Sequence, residues 1–195
     1  MPSDDINRFN RWAKTYDRSI FQRFFFGPVQ SKMLEMIADD ASEPPRCILD
    51  VGCGTGRLLR AASMRWPQAR LYGIDAAEQM ISEAQRLTPN AAFKVSAAES
   101  LPFSDQTFDL AVSSLSFHHW TDQSKGLLEI ARVLRNGGRF CLADHTAVLA
   151  NLFHEKAKSR KQIRELLGHA GLSVSAQRGA WTRFVLITLA KKQTS

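Results

Sequence analysis

The chain of 195 residues has an ordinary globular composition, with 44% hydrophobic and 23% charged residues. This balance excludes collagen-like, coiled-coil and intrinsically disordered proteins. A chain of this length buries roughly 70% of its unfolded surface, so one core needs neither disulfides nor a structural metal. The net charge of +7 is a first indication of a nucleic acid or another acidic partner.

Residues 1–42 predict two amphipathic helices. Apolar residues recur at helical spacing, Gly27–Pro28 breaks the pattern, and the pattern then resumes up to Ile37. The aromatic run Ile20–Phe26 is a candidate lid over a substrate, and a helix simply docked on the sheet is the alternative. The segment 145–158 is too short for a covering subdomain, so we expect a substrate pocket either to be capped mainly by these helices or to lie fairly open.

From Cys47 onward, short apolar runs alternate with helical stretches, which predicts βαβ units. The connection 177–182 is too short for a helical crossover, so the last two strands should be antiparallel neighbours. The predicted fold is α/β and Rossmann-like, a single domain over 1–195 with a seven-stranded, mainly parallel sheet, an antiparallel last strand and helices on both faces. The expected strands lie in the segments Cys47–Val51, Leu71–Ile74, Phe93–Val95, Leu110–Val112, Phe140–Ala143, Leu172–Ala176 and Phe184–Ala190.

A glycine-rich loop, Asp50–Gly56, joins the first predicted strand to its helix. Glycines let the backbone approach a ligand closely, and the helix N-terminus offers N–H donors there. Asp75 follows the second strand, where it can accept hydrogen bonds from ribose hydroxyls. A dinucleotide fingerprint needs a glycine at the position of Arg57, so the pattern favours an adenosyl group over a nicotinamide, a flavin or a purely structural turn.

The segment Ile48–Gly56 resembles motif I of the class I S-adenosylmethionine-dependent methyltransferases. Phe9–Asp17 resembles the N-terminal signature of the type 11 group, which includes quinone-biosynthesis C-methyltransferases. The resemblance runs along nearly the entire chain. Four further segments follow in the family's order: the ribose-binding segment Leu71–Asp75, the adenine-side loop Ala98–Phe103, strand four Phe108–Val112 and the turn Val133–Arg139.

The resemblance implies S-adenosylmethionine as the cofactor, S-adenosylhomocysteine as the product, and in-line methyl transfer to a small molecule. It further implies that Asp50 and the loop glycines line the methionyl part and that Asp75 holds the ribose. Residues 1–42 would form the lid and 46–195 the cofactor-binding core. The implied cofactor residues are Tyr16, Asp50, Gly52, Cys53, Gly54, Thr55, Asp75, Ala76, Met80, Ala98, Glu99 and Ser114.

Two positions depart from the family's pattern. Ala97 stands where relatives often carry an acid that accepts from the adenine amino group, and Glu99 is the neighbouring carboxylate. Asn136 replaces a usual proline, which should affect only the turn.

His118 and His119, just past strand four, are the predicted catalytic residues. Histidine titrates near neutral pH and can remove a proton from a methyl acceptor. The alternative is that these rings pack beside the cofactor without doing chemistry. Asp144–His145, just past strand five, is the second candidate pair, and its side chains could equally cap the following helix.

Two other functions stay open. An RNA methyltransferase acting on ribose or guanine would use the same cofactor. Base-amino methylation is disfavoured because Ser113–Ser116 stands where an Asn/Asp-Pro-Pro-Tyr-type tetrapeptide is usual. C5-pyrimidine methylation is disfavoured because it needs a nucleophilic cysteine and no cysteine lies near that loop. A non-catalytic protein that binds the cofactor with the same fold is the second alternative.

Three scattered cysteines, Cys47, Cys53 and Cys141, form no disulfide framework and no zinc motif. The N-terminus lacks the features of a signal peptide, and the longest apolar stretches are far shorter than the roughly 20 residues that span a bilayer. The sequence therefore predicts a cytoplasmic protein with no metal and no transmembrane segment, and it does not indicate an oligomeric state.

The excess positive charge lies in the last 51 residues, which hold nine basic residues and only two acidic ones. Basic residues at a helix start oppose the helix dipole, so they do not stabilise the helix there. We interpret them as a solvated surface outside the catalytic machinery, with an acidic partner, a membrane surface or an anionic acceptor as the alternative. The residues concerned are Lys156, Lys158, Arg160, Lys161, Arg164, Lys191 and Lys192.

Overall fold

A computed structural model of the chain describes residues 1, 3–18, 22–40, 43–146, 157–180 and 184–194, with the backbone alone for 22 and 23. Its α-helices are α1 (Ser3–Tyr16), α2 (Gly27–Asp40), α3 (Arg57–Arg65), α4 (Glu78–Leu87), α5 (Gln123–Val133) and α6 (Arg160–His169). Its strands are β1 (Cys47–Val51), β2 (Arg70–Asp75), β3 (Ala91–Val95), β4 (Phe108–Ser114), β5 (Leu134–His145), β6 (Leu172–Ala180) and β7 (Val185–Lys192). A π-helical turn (Gln22–Phe26) precedes α2, and a 3₁₀ turn (Phe117–His119) follows β4.

The seven strands form one sheet in the order β3-β2-β1-β4-β5-β7-β6. The first five strands pair in parallel, and β7 pairs antiparallel with both β5 and β6. The predicted fold class is therefore confirmed, including the antiparallel pairing of the last two strands. The strand order reverses beside β1, and in open α/β sheets ligands bind at such a switch point.

Strand β1 lies between β2 and β4 in the middle of the sheet, and all five of its residues are buried. Its alternate side chains face opposite layers of the core. Ile48 packs with apolar residues of α2, α3 and α4, whereas Leu49 packs with those of α5 and α6. Helices therefore cover both faces, as parallel strands require.

The helix α5 ends at Val133, earlier than the glycines at 137 and 138 predict. Leu134 already pairs with Phe108 of β4, so the backbone leaves the helix to join the sheet. Gly137 then turns the chain with φ +72° inside the irregular first part of β5. Within the described residues, none of the helices has both the length and the apolar character needed to cross a bilayer.

Candidate active site

A cavity of about 620 Å³ opens where the carboxyl ends of β1, β2 and β4 meet. A second cavity of about 350 Å³ adjoins it, because Tyr16, Gly52, Gly54 and Ser114 line both. The site therefore sits at the switch point of the sheet, beneath the N-terminal helix.

The glycine loop forms the floor of both cavities, and Gly52 and Gly54 both have a positive φ. Gly52 has φ +74°, and a Cβ there would lie 2.1 Å from the hydroxyl of Ser116. Gly54 has φ +52°, and the nearest atom to a Cβ there would be Tyr16 Cε1 at 3.9 Å. Gly52 thus allows close packing behind the loop, whereas Gly54 leaves its cavity side open to a ligand.

Asp75 ends β2 and holds the glycine loop in place. Its carboxylate accepts hydrogen bonds from the backbone N–H of Gly54 and of Ala77, both at 2.9 Å. Burial raises the pKa of this carboxyl, and the same N–H donors oppose the rise. The carboxylate both orders the loop and lines the larger cavity.

Asp50 is the second carboxyl of the site and is buried, with only 1% exposed. Burial first, and the nearby Asp75 second, raise the pKa of Asp50 to about 8. Its Oδ1 and the hydroxyl of Ser114 are buried without a hydrogen-bond partner among the described residues. Both residues line the smaller cavity, which therefore presents polar groups in need of a ligand donor.

All twelve residues expected to bind the cofactor line one or the other of these cavities. The smaller cavity also contains Phe26, Gln30 and Arg57, which sequence reasoning missed. Gln30 lies on α2, far from the motifs in sequence, so no local signal identifies it. The larger cavity is lined by Tyr16, Gly52, Gly54, Asp75, Ala76, Met80, Ala98, Glu99 and Ser114, and the smaller one adds Asp50, Cys53 and Thr55.

The far end of the larger cavity is lined by residues 96–99 and Trp120. Ala97 offers no carboxylate there. Glu99 Oε1 accepts a hydrogen bond from the backbone N–H of Asp122 at 3.0 Å, where it steadies the start of α5. Glu99 thus has a structural task in addition to lining the cavity.

The two predicted catalytic histidines occupy different positions. His119 lines the larger cavity, whereas His118 is buried behind it and 6% exposed. Asp5 of α1 lies against His119, with Oδ2 2.9 Å from Nδ1. Burial and the adjacent His118 lower the pKa of His119 to about 4, although Asp5 acts in the opposite direction. At neutral pH His119 is therefore an uncharged imidazole.

His118 is held by Asp144 at the end of β5. Asp144 Oδ1 lies 2.6 Å from His118 Nδ1, and its carboxylate also accepts from the backbone N–H groups of His118 and His145, each at 2.7 Å. Burial opposes ionisation of Asp144, but His118 and these N–H donors outweigh it and lower the pKa. The second candidate pair therefore faces His118.

His145 stacks on Phe25 of the π-helical turn, with ring centroids 6.0 Å apart. Ligand-type atoms of His118, Asp144 and His145 lie within 4.8 Å of one another, a spacing that a metal ion could bridge. The Asp144 carboxylate already has three N–H partners, so hydrogen bonding is sufficient to explain why these three side chains lie together.

Two parts of the predicted lid lie at the cavities, namely α1 and the π-helical turn before α2. Phe9 and Tyr16 of α1 line the larger cavity. Phe26 contacts Tyr16, with ring centroids 6.3 Å apart, whereas Phe24 is 61% exposed. Ile20 and Phe21 of the aromatic run, and most of the segment 145–158, lie outside the described residues.

The end of α1 is fixed to the glycine loop through Asp17. This carboxylate accepts from the hydroxyl of Thr55 at 2.5 Å and forms an ion pair with Arg60 of α3. Arg60 also donates to the backbone carbonyl of Thr55 at 2.6 Å. The lid and the loop are therefore joined by one polar network, which we call the Asp17–Arg60–Thr55 latch.

Among the described residues, none of the basic side chains of the C-terminal quarter lines either cavity. Arg160 and Arg164 of α6 donate to Gln177 of β6, an edge strand of the sheet. Lys192 donates to the carbonyl of Leu134 at the opposite end of the sheet from the site. Lys156 lies outside the described residues.

Comparison with known proteins identifies the family of the chain. Residues 49–142 match the type 11 family of the methyltransferase domain. The chain is 37% identical over 123 residues to the uncharacterized methyltransferase YcgJ of Bacillus subtilis, covering 60% of this chain and 48% of that protein. It is 32% identical over 149 residues to a demethylmenaquinone methyltransferase of Deinococcus radiodurans, covering 74% and 61%. It is 35% identical over 144 residues to a malonyl-[acyl-carrier protein] O-methyltransferase of Geobacter sulfurreducens, covering 70% and 51%.

A chain from the Haloferax volcanii complex between the methyltransferase activator Trm112 and a methyltransferase has the same fold. The TM-score is 0.84 at 22% identity, and the match covers 97% of both chains. The present chain spans only about half to three-fifths of the length of the three curated relatives.

The fold is Rossmann-like, with two adjoining cavities at the switch point of the sheet. The chain belongs to the class I S-adenosylmethionine-dependent methyltransferases, in the type 11 group.

Proposed function

We propose that the protein binds S-adenosylmethionine in the two adjoining cavities and transfers its methyl group to a small-molecule acceptor. The observation that carries the proposal is the placement of all twelve expected cofactor residues around one continuous site. These residues come from five separate segments between Tyr16 and Ser114, so their convergence depends on the whole fold.

The residues present fit this cofactor. Asp50 and Ser114 supply buried acceptor atoms without partners among the described residues, as a cationic amino group requires. Gly54 leaves open space for a ligand, and the buried Met80 offers an apolar wall. Asp75 presents a carboxylate for ribose hydroxyls at the place where β2 ends.

When bound, S-adenosylmethionine would supply a methyl group attached to a sulfonium sulfur. The acceptor's lone pair would form a bond to the methyl carbon as the carbon–sulfur bond breaks, and the sulfur would leave as a neutral thioether. The chain's main task is to align the acceptor and exclude water, which α1 does by covering the site with Phe9 and Tyr16. His119 is the group that lines the cavity and can accept a proton. His118, held by Asp144, supports it from behind.

The cover that Phe9 and Tyr16 of α1 form over the cavity favours a small acceptor over a polymer. The named relatives methylate different compounds, so similarity alone does not select one. Transfer of labelled methyl groups from S-adenosylmethionine should be measured with panels of quinols, phenols, amines, thiols and carboxylates, and with RNA. We expect label in one of the small-molecule panels. Label in RNA alone would overturn the choice of acceptor class, and label in no panel despite cofactor binding would favour the non-catalytic alternative.

A further inference from the structure

We propose that Asp5 is a positioning residue for His119, and that docking of α1 assembles this pair so that it can take a proton from the methyl acceptor. The inference rests on the proposed function and makes it more specific. It assigns an acceptor that loses a proton on methylation, such as a hydroxyl compound or an acidic carbon, rather than a thioether or a tertiary amine.

The geometry at His119 selects one form of the ring. An ionised carboxylate only accepts hydrogen bonds, so at 2.9 Å from Asp5 the Nδ1 atom of His119 carries the hydrogen. In the neutral ring Nε2 is then the acceptor atom. The edge of the Phe9 ring lies against His119 with centroids 5.3 Å apart, which fixes the plane of the imidazole.

The charge on Asp5 is itself supported. Arg8, one turn further along α1, lies 2.6 Å from Asp5 Oδ1, so the two carboxylate oxygens have different partners. The titratable and charged groups near His119 include Asp5 and Arg8 of α1, His118 beside it and Asp144 behind His118. Met1, which carries the N-terminal amino group, and Glu99 line the same cavity. Burial and the adjacent His118 keep His119 uncharged near neutral pH, whereas Asp5 favours the protonated ring that forms when His119 takes up a proton.

The carboxylate and the histidine come from different parts of the chain. His119 belongs to the 3₁₀ turn after β4, whereas Asp5 arrives only when α1 packs on α4. That packing buries Ala13 against Ala77 and Met80, and Asn10 accepts from the backbone N–H of Gln79 at 3.0 Å. The same helix brings Phe9 and Tyr16 over the cavity, so closure of the site and orientation of His119 are one event.

The proton transfer is balanced within the site. The bond between the acceptor atom and its hydrogen breaks, its electron pair stays on the acceptor, and the proton moves to Nε2 of His119. The resulting imidazolium keeps its Nδ1 hydrogen on Asp5 and afterwards releases the Nε2 proton to water. Asp5 stays ionised throughout and acts only through the ring.

The direct test is nitrogen-15 NMR of the imidazole rings near neutral pH, which reports the nitrogen that carries the hydrogen. In the wild type we expect His119 to carry it on Nδ1. In Asp5→Asn the ratio of the Nδ1–H to the Nε2–H form should fall about fivefold or more, because a charged acceptor is replaced by a neutral one. Asp4→Asn, on the exposed side of the same turn, is the matched control and should change nothing.

Rescue separates positioning from a general effect on folding. Asp5→Glu keeps a carboxylate and should retain the Nδ1–H form. Hydrogen on Nε2 in the wild type, or the same ratio in Asp5→Asn as in the wild type, would overturn the inference. The wild-type spectrum alone shows whether Nδ1 or Nε2 of His119 carries the hydrogen, so this part of the test holds even if a variant fails to fold.

Calorimetry with S-adenosylmethionine on the same samples distinguishes this inference from the proposed function. Absence of binding to the wild type would remove the proposed function whatever the NMR result. We expect the dissociation constants of the wild type and of Asp5→Asn for S-adenosylmethionine to agree within about threefold, because only a single partly exposed contact is lost. The ring form of His119 should nevertheless change in Asp5→Asn. With an acceptor from the panels, Asp5→Asn should lower kcat about tenfold or more while its KM stays unchanged.

Discussion

Two carboxyl groups, Asp50 and Asp75, give the site its electrostatic character. Asp50 is buried and Asp75 is half-buried, and burial raises the pKa of each because it disfavours the charged form. Asp75 is compensated by two backbone N–H donors, whereas Asp50 has an oxygen without a partner among the described residues. Asp50 is therefore the group whose charge depends most on a bound cation.

The variant Asp50→Asn should remove a pH-dependent loss of stability. The pKa of Asp50 is raised from 3.8 to about 8 in the folded protein, so the folded state holds a proton that the unfolded state releases. The stability this group contributes is complete below the unfolded pKa and is lost as pH rises through the folded one. The wild type should therefore weaken relative to Asp50→Asn by up to about 1.4 kcal/mol per pH unit.

Thermal unfolding at pH 5 and pH 8 measures this difference. Saturating S-adenosylmethionine should then stabilise the wild type more than Asp50→Asn, because only the carboxylate pairs with a cationic amino group. The same Tm difference at both pH values would show that Asp50 ionises in its ordinary range and would contradict the account.

Single residues also show where sequence reasoning stops. The glycines, Asp50 and Asp75 lie in a contiguous motif whose spacing fixes their position at the end of a strand. Asp5 and Gln30 reach the site from helices, and their roles depend on contacts with residues that are distant in the sequence. The sequence named both histidines, but only the fold shows that His119 faces the cavity and His118 does not.

Among the elements, α1 has the most direct connection to function. Its inner face closes the site, and its end is held by the Asp17–Arg60–Thr55 latch. The proposal that residues 1–42 act as a lid follows from this arrangement. A lid that opens should do so by breaking the latch, since the latch joins it to the loop that holds the cofactor.

Arg60→Ala should loosen α1 without disturbing the sheet. The side chains of Arg60 and Asp17 are 27% and 28% exposed, so breaking their ion pair costs only a modest free energy. We expect faster hydrogen exchange in α1 and a two- to tenfold rise, as an order of magnitude, in the dissociation rate of S-adenosylmethionine. Arg65→Ala, an exposed position on the same helix, is the control and should leave both unchanged. Unchanged exchange in Arg60→Ala would show that α1 is held by packing alone.

The strands were the easiest elements to predict, because each carries a short apolar run between helical stretches. Their exact extents were harder. The end of α5 was placed too late because Asn136–Gly138 looks like a helix stop, whereas pairing of Leu134 with Phe108 had already drawn the chain into the sheet. Tertiary pairing of this kind has no local signature.

For the whole molecule, the order of the strands turns a linear set of motifs into one site. The parallel strands β1, β2 and β4 end at the same edge, so the loops that follow them meet. The described basic residues of the C-terminal quarter lie on the flank of the sheet formed by β6 and β7, where Arg160 contacts Gln177 and Lys192 contacts Leu134. The net charge is thus a property of one flank and does not bear on the cofactor cavity.

Binding of S-adenosylmethionine, measured by calorimetry, tests the central claim most directly. We expect the wild type to bind and Asp75→Asn to bind about tenfold or more weakly, because a charged hydrogen-bond acceptor in the cavity is lost. Asp109→Asn is the matched control, since Asp109 also accepts from two backbone N–H groups, those of Arg46 and Cys47, but at the opposite end of the sheet. It should bind like the wild type. No binding by the wild type, or equal binding by Asp75→Asn, would contradict the account.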